Sequence, residues 1–413
     1  MIPPAGERAV RKHDVPSRKT AVLRLTRLKL TDFRNYPALT WRPAARVSVI
    51  TGPNGSGKTN LLEAVSLLVP GRGLRQARIA EFARQTPSGP RPWGVVGNLA
   101  RNGADTEIGT GTPPDGPADR PSDRRVFRLD GAPPRSQADI AAVAAAVWLT
   151  PQMDRLFQEA ASGRRRFLDR LVWALEPGHA REVSAYETAM ASRSRLLAMG
   201  TADAAWLAGV EDSMARHAIA VAAARAGLVA SLNAALASGA AGGFPIARLD
   251  LLDPIAARLA EQPALAVEDW LRDALAGSRE ADAAGPTAHG AHRADMLLAD
   301  AATGRPAALA STGQQKALLI GVVLGHAALI AGARGFAPLL LLDEPAVHLD
   351  PARRAALWTA LGGLSAQVML TGTDAEPFRT LAGAAEFLKT GGEALHPDLA
   401  FPPAPVLSPW GGL

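Results

Sequence analysis

The sequence predicts an α/β fold in which a parallel sheet carries a nucleotide site at one edge. A β-branched run over 46–51 leads into Gly52-Pro53-Asn54-Gly55-Ser56-Gly57-Lys58-Thr59, and an apolar run over 339–342 ends in Asp343-Glu344. The carboxyl ends of parallel strands share one edge of a sheet. A glycine-rich loop and an acidic pair that follow two such strands would therefore meet.

The other elements follow from the spacing of the apolar residues. Alternation predicts strands over 22–30, 93–100, 126–130, 147–149 and 367–371. Helical spacing or an Ala-rich composition predicts helices over 58–69, 138–146 and 314–331, with 181–240 almost entirely helical. The segment 102–123 is rich in Gly, Pro and Asp and is predicted to be a mobile hairpin loop.

Composition limits the classes of function. The chain has 413 residues and no cysteine, which excludes disulfides, thiolate metal sites and cysteine nucleophiles and suits a reducing cytoplasm. The start lacks the pattern of a secretory signal, and no uninterrupted apolar run reaches the ~18 residues of a membrane span. A formal net charge of +6 permits a polyanionic partner without requiring one. We expect a cytoplasmic protein with no membrane partner.

The loop 52–59 matches the phosphate-binding pattern G-x-x-x-x-G-K-[ST] without a mismatch. Glycines let backbone amides surround a phosphate, the lysine reaches the β- and γ-phosphates, and the threonine hydroxyl can ligate Mg²⁺. The residues expected to bind ATP here are Asn54, Gly55, Ser56, Gly57, Lys58, Thr59 and Asn60.

The acidic pair predicts catalysis. Asp343 is expected to hold Mg²⁺ together with Thr59, and Glu344 to orient or deprotonate the attacking water. The predicted catalytic residues are Glu344, Lys58 and Asp343. The alternative is a buried strand that ends in a solvated acidic turn.

A polar turn, Ser311-Thr312-Gly313-Gln314-Gln315-Lys316, opens the predicted helix 314–331. A serine hydroxyl and a glycine amide at a helix start can bind an anion. Within one head this turn would lie too far from the phosphate loop, so Ser311, Gly313 and Gln314 are expected to contact a γ-phosphate held by a second copy. Asp350, in His348-Leu349-Asp350, is expected in a dimer-contacting turn, and Thr373 is expected near the γ-phosphate. The alternative for Ser311 is an ordinary helix cap, and the alternative for Asp350 and Thr373 is an ordinary turn.

Together these motifs are typical of the ABC-type ATPase superfamily, and finer features resemble the RecF family of bacterial recombination-repair proteins. The matching segments follow the family's order and are 28–36, 150–151, 164–169, 290–295 and 311–316. Ala291 stands where the family usually has Pro, and 72–75 departs from its usual Arg-Ser-x-Arg. Either Gln152 or Val147 occupies the place of the γ-phosphate-sensing glutamine.

The resemblance implies an ABC-type ATPase head, with a P-loop parallel sheet, an antiparallel β lobe and an inserted helical lobe. It implies a slow, DNA-dependent ATPase that dimerises on ATP, binds single-strand/double-strand junctions at gaps, and helps RecO and RecR load recombinase. DNA contacts are expected from Arg72, Arg75, Arg164, Arg165 and Arg166, although an arginine cluster can also be a solvated helix face.

The expected domains are a flexible N-terminal extension (1–20), the N-terminal part of the ATPase head (21–180), a helical lobe forming a short arm without a long coiled coil (181–284), the C-terminal part of the head (285–390) and an extended tail (391–413).

Three other functions share some of these motifs. The nucleotide-binding subunit of a membrane transporter has a similar signature but would carry His in place of Thr373. A structural-maintenance-type ATPase needs a long coiled coil, and the chain shows no sustained heptads. In a non-hydrolysing DNA clamp, ATP would drive dimerisation alone.

Overall fold

The computed structural model describes residues 21–113, 124–200 and 203–402. The predicted extension 1–20, part of the predicted loop 102–123 and the end of the predicted tail lie outside these ranges.

The strands in chain order are β1 Ala21–Val22, β2 Arg24–Phe33, β3 Tyr36–Trp41, β4 Val47–Thr51, β5 Gln85–Thr86, β6 Gly89–Pro90, β7 Gly94–Arg101, β8 Ala104–Gly111, β9 Val126–Leu129, β10 Ala146–Leu149, β11 Ala247–Leu252, β12 Asp295–Asp300, β13 Phe336–Ala337, β14 Leu339–Leu342, β15 Val368–Gly372, β16 Ala385–Gly391 and β17 Ala394–Pro397. The α-helices are α1 Lys58–Ser66, α2 Gln137–Val143, α3 Ala161–Leu175, α4 His179–Met199, α5 Ala204–Ala235, α6 Pro254–Leu259, α7 Ala264–Gly277, α8 Arg279–Ala284, α9 Thr312–Arg334 and α10 Pro351–Gly363.

A six-stranded sheet in the order β10-β14-β15-β4-β16-β17 forms the centre of the head. The first five strands are parallel, and β17 closes the edge in antiparallel register with β16. Strands β4, β10, β14 and β15 are buried along their whole length, as expected for a parallel sheet covered on both faces. Residues 394–397, predicted as part of an extended tail, are instead this edge strand.

A second sheet, β3-β2-β7-β8-β9, is antiparallel throughout. The prediction of a loop over 102–123 was wrong for residues 104–111. There β8 pairs with β7 across a tight turn at Asn102-Gly103, where both residues have positive φ. The sequence of 104–111 resembles a loop because it is rich in Gly and polar residues and its first half is largely exposed, and pairing with β7 and β9 holds it as a strand.

The helical part packs around its own small core. Helices α4, α5 and α7 bury a cluster that includes Tyr186, Met214 and Leu271, separate from the main core of the head. Arg193, fully buried, joins Glu211 and Asp282 in this lobe. The last residues of the predicted lobe, 279–284, form α8. The two sheets and this lobe confirm the predicted α/β architecture.

Helix α9 runs through the main core. Its His326 is buried, and Nε2 lies 2.9 Å from the carbonyl oxygen of Leu171 in α3. Burial lowers the pKa of His326 to about 4, so its neutral form is the one that packs.

Two described helical stretches, Ala204–Ala240 and Thr312–Arg334, are long and apolar enough by composition alone to cross a membrane. Most of the apolar window of the second is buried inside the protein, which is also expected of a core helix.

Candidate functional site

The phosphate loop leaves β4 at the carboxyl edge of the parallel sheet and enters α1. Gly55 and Gly57 both have positive φ, of 81° and 102°. A Cβ atom on Gly57 would lie 2.5 Å from the Asn35 side chain and 2.6 Å from the Tyr36 hydroxyl oxygen. Position 57 therefore requires glycine both for its backbone conformation and for space.

Lys58 is buried beneath this loop. Its Nζ donates to the carbonyl oxygens of Gly52 (2.7 Å) and Pro53 (2.9 Å), so the ammonium group lies against the start of the loop. Burial lowers the pKa of Lys58, and the nearby carboxylates of Glu344 and Asp343 oppose that shift. A buried ammonium satisfied only by carbonyls suits a site that takes an anionic phosphate.

Asp343 follows β14 and meets α1 at the same edge. Its Oδ1 accepts from Thr59 Oγ1 (3.0 Å) and from Thr371 Oγ1 (2.7 Å). Hydroxyl and carboxylate oxygens are the ligands that Mg²⁺ prefers, so Thr59 and Asp343 fit the predicted metal. Among the residues that the structure describes, no group of three or more His, Cys, Asp or Glu side chains forms a metal cage. A site of this kind relies on the nucleotide's phosphates for further ligands.

Thr371, which the sequence analysis did not select, contacts the carboxylate of Asp343 and the backbone of Glu344. It is fully buried in β15, and besides donating to Asp343 it accepts the backbone N–H of Glu344 (2.9 Å). Glu344 has a φ of 49°, in the left-handed region. The hydroxyl of Thr371 thus stabilises an unusual backbone turn at the predicted general base.

A second support comes from the segment after β2. Arg34 forms a bidentate ion pair with the fully buried Glu63 of α1, with Nε–Oε2 at 2.9 Å. Asn35 accepts from Asn60 Nδ2 (2.7 Å), and the Tyr36 hydroxyl donates to the carbonyl of Gly57 (3.1 Å). The segment 28–36, which resembles the RecF family, therefore fixes the start of α1 through these three residues. The side chain of Asn60, which was predicted to bind ATP, takes part in these contacts.

Strand β16, which pairs with β4, also contacts the loop. Ser56 Oγ lies 2.5 Å from Thr390 Oγ1, which itself donates to the carbonyl of Thr51. Thr390 is a further residue that sequence reasoning missed, because nothing in the pattern of β16 marks it. Thr373 is exposed after β15 and lines, with 51–53 and Thr390, a cavity of about 770 Å³ beside the loop.

Ser311 lies at the N-terminus of α9 as predicted. It forms a reciprocal capping box with Gln314: the Gln314 N–H donates to Ser311 Oγ (3.4 Å) and the Ser311 N–H to Gln314 Oε1 (3.0 Å). Both residues are exposed. The hydroxyl and the amides of this turn therefore face outward on the surface of the head.

The turn 348–350 lies against this helix start. A Cβ atom on Gly313 would come within 2.9 Å of the His348 carbonyl oxygen, so the close approach needs glycine. Asp350 caps α10 by accepting the N–H of Arg353 (2.8 Å), and its side chain remains half exposed. Two segments expected at a dimer contact are thus neighbours on one surface.

Lys316 links this surface to the acidic pair. It is buried, and its Nζ donates to the carbonyl of Glu344 (3.1 Å) and to Asp154 Oδ2 (3.4 Å). Burial shifts both pKa values towards the neutral forms, lowering that of Lys316 and raising that of Asp154, and their mutual attraction opposes the shifts. Helix α9 is therefore joined directly to the backbone of Glu344, the predicted general base.

The two candidates for the γ-phosphate-sensing position lie in different places. Val147 is buried in the middle of β10, paired with Leu340. Gln152 is exposed in the turn that follows that strand at the carboxyl edge. Of the two, Gln152 alone has a polar side chain at the edge where the phosphate loop lies.

The five predicted DNA-binding arginines divide into two groups. Arg164 is bound to Asp295 through two bonds, Arg165 donates to the carbonyl of Ala294, and Arg75 binds Asn60 and Glu63. These three serve contacts within the chain. Arg72 and Arg166 are exposed, and within the described ranges neither forms an ion pair.

The class of protein follows from where the signature turn and the phosphate loop lie. The turn at 311–314 is exposed beside the turn 348–350, and the phosphate loop lies at the carboxyl edge of the parallel sheet. Helix α9 connects the first to the acidic pair at that edge through the bond from Lys316 to the Glu344 carbonyl. We therefore assign the chain to the ATP-binding ATPases of ABC/SMC type.

Comparisons with known proteins narrow this class. A family model described as "AAA domain, putative AbiEii toxin, Type IV TA system" matches residues 47–94. The DNA replication and repair protein RecF of Mesorhizobium japonicum is 47% identical over 368 residues, covering 88% of this chain and 95% of that protein. That of Allorhizobium ampelinum is 46% identical over 366 residues, covering 88% and 96%. The chain belongs to the RecF family of DNA replication and repair proteins.

The fold agrees with this assignment. A solved structure of the recombination mediator protein RecF-ATPrS in the RecFOR pathway superposes with a TM-score of 0.76 at 20% identity, covering 91% of this chain and 98% of that one. Family membership also removes the transporter interpretation.

Proposed function

We propose that this protein is an ATP-driven dimerisation switch for DNA repair. In this proposal ATP and Mg²⁺ bind at the phosphate loop of one copy, and Ser311, Gly313 and Gln314 of a second copy contact the γ-phosphate. The observation that carries it is the exposed capping box at Ser311, since an anion site at the start of a 23-residue helix faces out of its own head. Asp350 and Thr373 contribute to the same shared site.

Hydrolysis follows from the placement of the acidic pair. Glu344 accepts the proton of the attacking water on its carboxylate, Lys58 balances charge on the phosphates, and Thr59 with Asp343 holds the metal, which supplies charge stabilisation when bound. Turnover is slow and depends on DNA, and it opens the dimer. The protein works in the cytoplasm, without a membrane partner.

The dimer holds gapped or junction DNA and cooperates with RecO and RecR to load recombinase. Support for these partners comes from the family, whose solved member is named as a recombination mediator in the RecFOR pathway. Arg72 and Arg166 are the arginines left available for phosphates.

Analytical ultracentrifugation tests the shared site. Wild-type protein should become dimeric with ATP and Mg²⁺, and more so with gapped DNA, whereas Ser311→Arg should stay monomeric because the guanidinium fills the anion site. Ser194→Arg, the same change on an exposed face of α4, is the matched control and should dimerise. An ATP-dependent dimer that persists in Ser311→Arg would refute the proposal.

Glu344→Gln separates the switch from a non-hydrolysing clamp. We expect phosphate release to fall by about a hundredfold or more, as for loss of a general base, while the ATP-bound dimer lasts longer. Glu261→Gln, an exposed glutamate in the helical lobe, should change neither quantity. Unchanged turnover in Glu344→Gln would show that Glu344 is not the base.

A further inference from the structure

The side chain of Lys316 is buried in the head although it carries a charge. Only 1% of it is exposed, and the residues that follow it in α9, 317–320, are apolar and buried as well. A buried ion pair is often no more stabilising than well-packed apolar side chains of similar volume. Packing alone therefore does not account for a lysine at this position.

The ammonium group of Lys316 joins three segments at the carboxyl edge of the parallel sheet. Its Nζ donates to the Glu344 carbonyl oxygen at 3.1 Å and to Asp154 Oδ2 at 3.4 Å. Asp154 lies in the turn 151–155 that follows β10, and Glu344 follows β14, the strand that pairs with β10. One side chain of α9 therefore contacts both the acidic pair and the turn that contains Gln152.

Both backbone polar groups of Glu344 are held by other side chains. Its N–H donates to Thr371 Oγ1 (2.9 Å), its carbonyl oxygen accepts from Lys316, and its φ is 49°. A residue keeps such a left-handed conformation only while its surroundings hold it there. Thr371 is fully buried within the sheet, whereas α9 begins at an exposed turn. Of the two contacts, the one from α9 is therefore the more easily displaced.

The pair of Lys316 and Asp154 is loose enough to respond to such a displacement. Its 3.4 Å separation exceeds the usual range of about 2.7–3.2 Å for an N–H···O bond. The other carboxylate oxygen, Asp154 Oδ1, is buried and has no hydrogen-bond partner among the described residues. A small movement at the start of α9 therefore changes how firmly the ammonium group is held.

The start of α9 and Lys316 belong to different ATP sites of the proposed dimer. Ser311 and Gln314, exposed at the start of the helix, would contact the γ-phosphate held by a second copy. Lys316, in the next turn of the same helix, contacts Glu344 of its own copy. One short segment thus lies between the nucleotide of the partner and the general base of its own site.

We propose that Lys316 is a positioning residue that couples the two ATP sites of the dimer. When the partner's ATP engages Ser311 and Gln314, the start of α9 is fixed, and Lys316 holds the backbone of Glu344 so that its carboxylate is aligned with the attacking water. Each copy then hydrolyses its own ATP at the full rate only while its partner also holds ATP. This inference rests on the proposed dimerisation switch.

Phosphate release across a series of protein concentrations tests the coupling, with ultracentrifugation measuring the dimer in the same samples. In wild type, release per copy at saturating ATP should rise as the dimer forms. Lys316→Met combined with Asp154→Leu removes both charges and leaves no unpaired buried ion. This double variant should still dimerise with an unchanged KM for ATP. Its release per copy in the dimer should be about tenfold to a hundredfold lower, as for loss of one hydrogen bond from a charged donor.

Lys29→Met, which changes an exposed lysine of β2, is the matched control and should behave as wild type in both measurements. If near-UV circular dichroism shows that the double variant does not fold, Asp154→Asn replaces it. That change keeps the shape of the side chain and weakens the hold on Lys316. It should lower the ratio of the dimer rate to the monomer rate by about twofold to tenfold.

Mixed dimers test whether Lys316 acts on the base of its own copy. A trace of one protein is mixed with an excess of Glu344→Gln before ATP is added, so that the trace copies supply nearly all the active bases. A wild-type trace should release phosphate at the wild-type rate, and a trace of the double variant should stay slow. A wild-type trace should remain fast when the excess copies also carry Lys316→Met and Asp154→Leu.

The outcomes separate the coupling from the dimerisation switch. Wild type that stays monomeric with ATP refutes the switch and the coupling together. If wild type and the folded variant dimerise alike and their release rates rise by the same factor, the coupling alone is overturned. It is also overturned if release by the wild-type trace slows when only its partners lack Lys316.

Discussion

Replacing Thr371 by Val removes one hydroxyl from the carboxyl edge of the sheet and leaves the shape of the side chain almost unchanged. In the native protein that hydroxyl makes two hydrogen bonds, a 2.7 Å bond to Asp343 Oδ1 and a 2.9 Å bond from the Glu344 N–H. The first is charge-assisted and worth about 1.5–3 kcal/mol, and an unsatisfied buried N–H costs about 1–3 kcal/mol. Since the two terms overlap, we expect the free energy of unfolding to fall by about 2–4 kcal/mol.

The same change should slow catalysis. If about half of that loss falls on the positioned state of Asp343 and Glu344, turnover drops about tenfold, because each 1.4 kcal/mol is a factor of ten. Urea unfolding measures the first effect, and phosphate release with gapped DNA measures the second. Thr371→Ser keeps the hydroxyl and should restore turnover, which a purely structural role would not require.

Thr359→Val is the matched control. Its hydroxyl is exposed on α10 and bonds the Ala355 carbonyl one turn earlier. We expect its unfolding free energy to stay within about 0.5 kcal/mol of wild type. If Thr371→Val behaves like Thr359→Val in both assays, the support assigned to Thr371 is wrong.

Three further changes test the rest of the site and core. Glu63→Gln should lower the free energy of unfolding by about 3–5 kcal/mol in urea, because it breaks a buried ion pair, while Glu81→Gln in an exposed pair should leave it nearly unchanged; equal effects would contradict this. Gly57→Ala should abolish binding of a fluorescent ATP analogue, since the new methyl would lie 2.6 Å from the Tyr36 hydroxyl oxygen; wild-type affinity would refute the steric argument. Burial lowers the pKa of His326 to about 4, so as the pH falls the unfolded chain takes up the imidazole proton before the folded protein does. The free energy of unfolding should therefore fall by about 3 kcal/mol between about pH 6.5 and pH 4. In urea unfolding, His326→Gln should lose less stability over this pH range than wild type, and an equal loss would contradict the assignment.

The sequence by itself determined the class of site. The phosphate loop, the acidic pair and the signature turn are each short segments whose chemistry depends on local backbone geometry, such as the positive φ of Gly57 or the capping box of Ser311. Local features of this kind can be recognised from the order of residues in a short segment. The α/β fold, the helical lobe and the family followed from their order along the chain.

Only the tertiary structure decided which side chains support that site. Thr371 reaches Asp343 across 28 positions because β15 lies next to β14, and Thr390 reaches Ser56 across 334 because β16 lies next to β4. It also decided that Arg164 is bound to Asp295 while Arg166 stays exposed. Pairings of this kind depend on which strands and helices are neighbours in space, and no local pattern of residues records that.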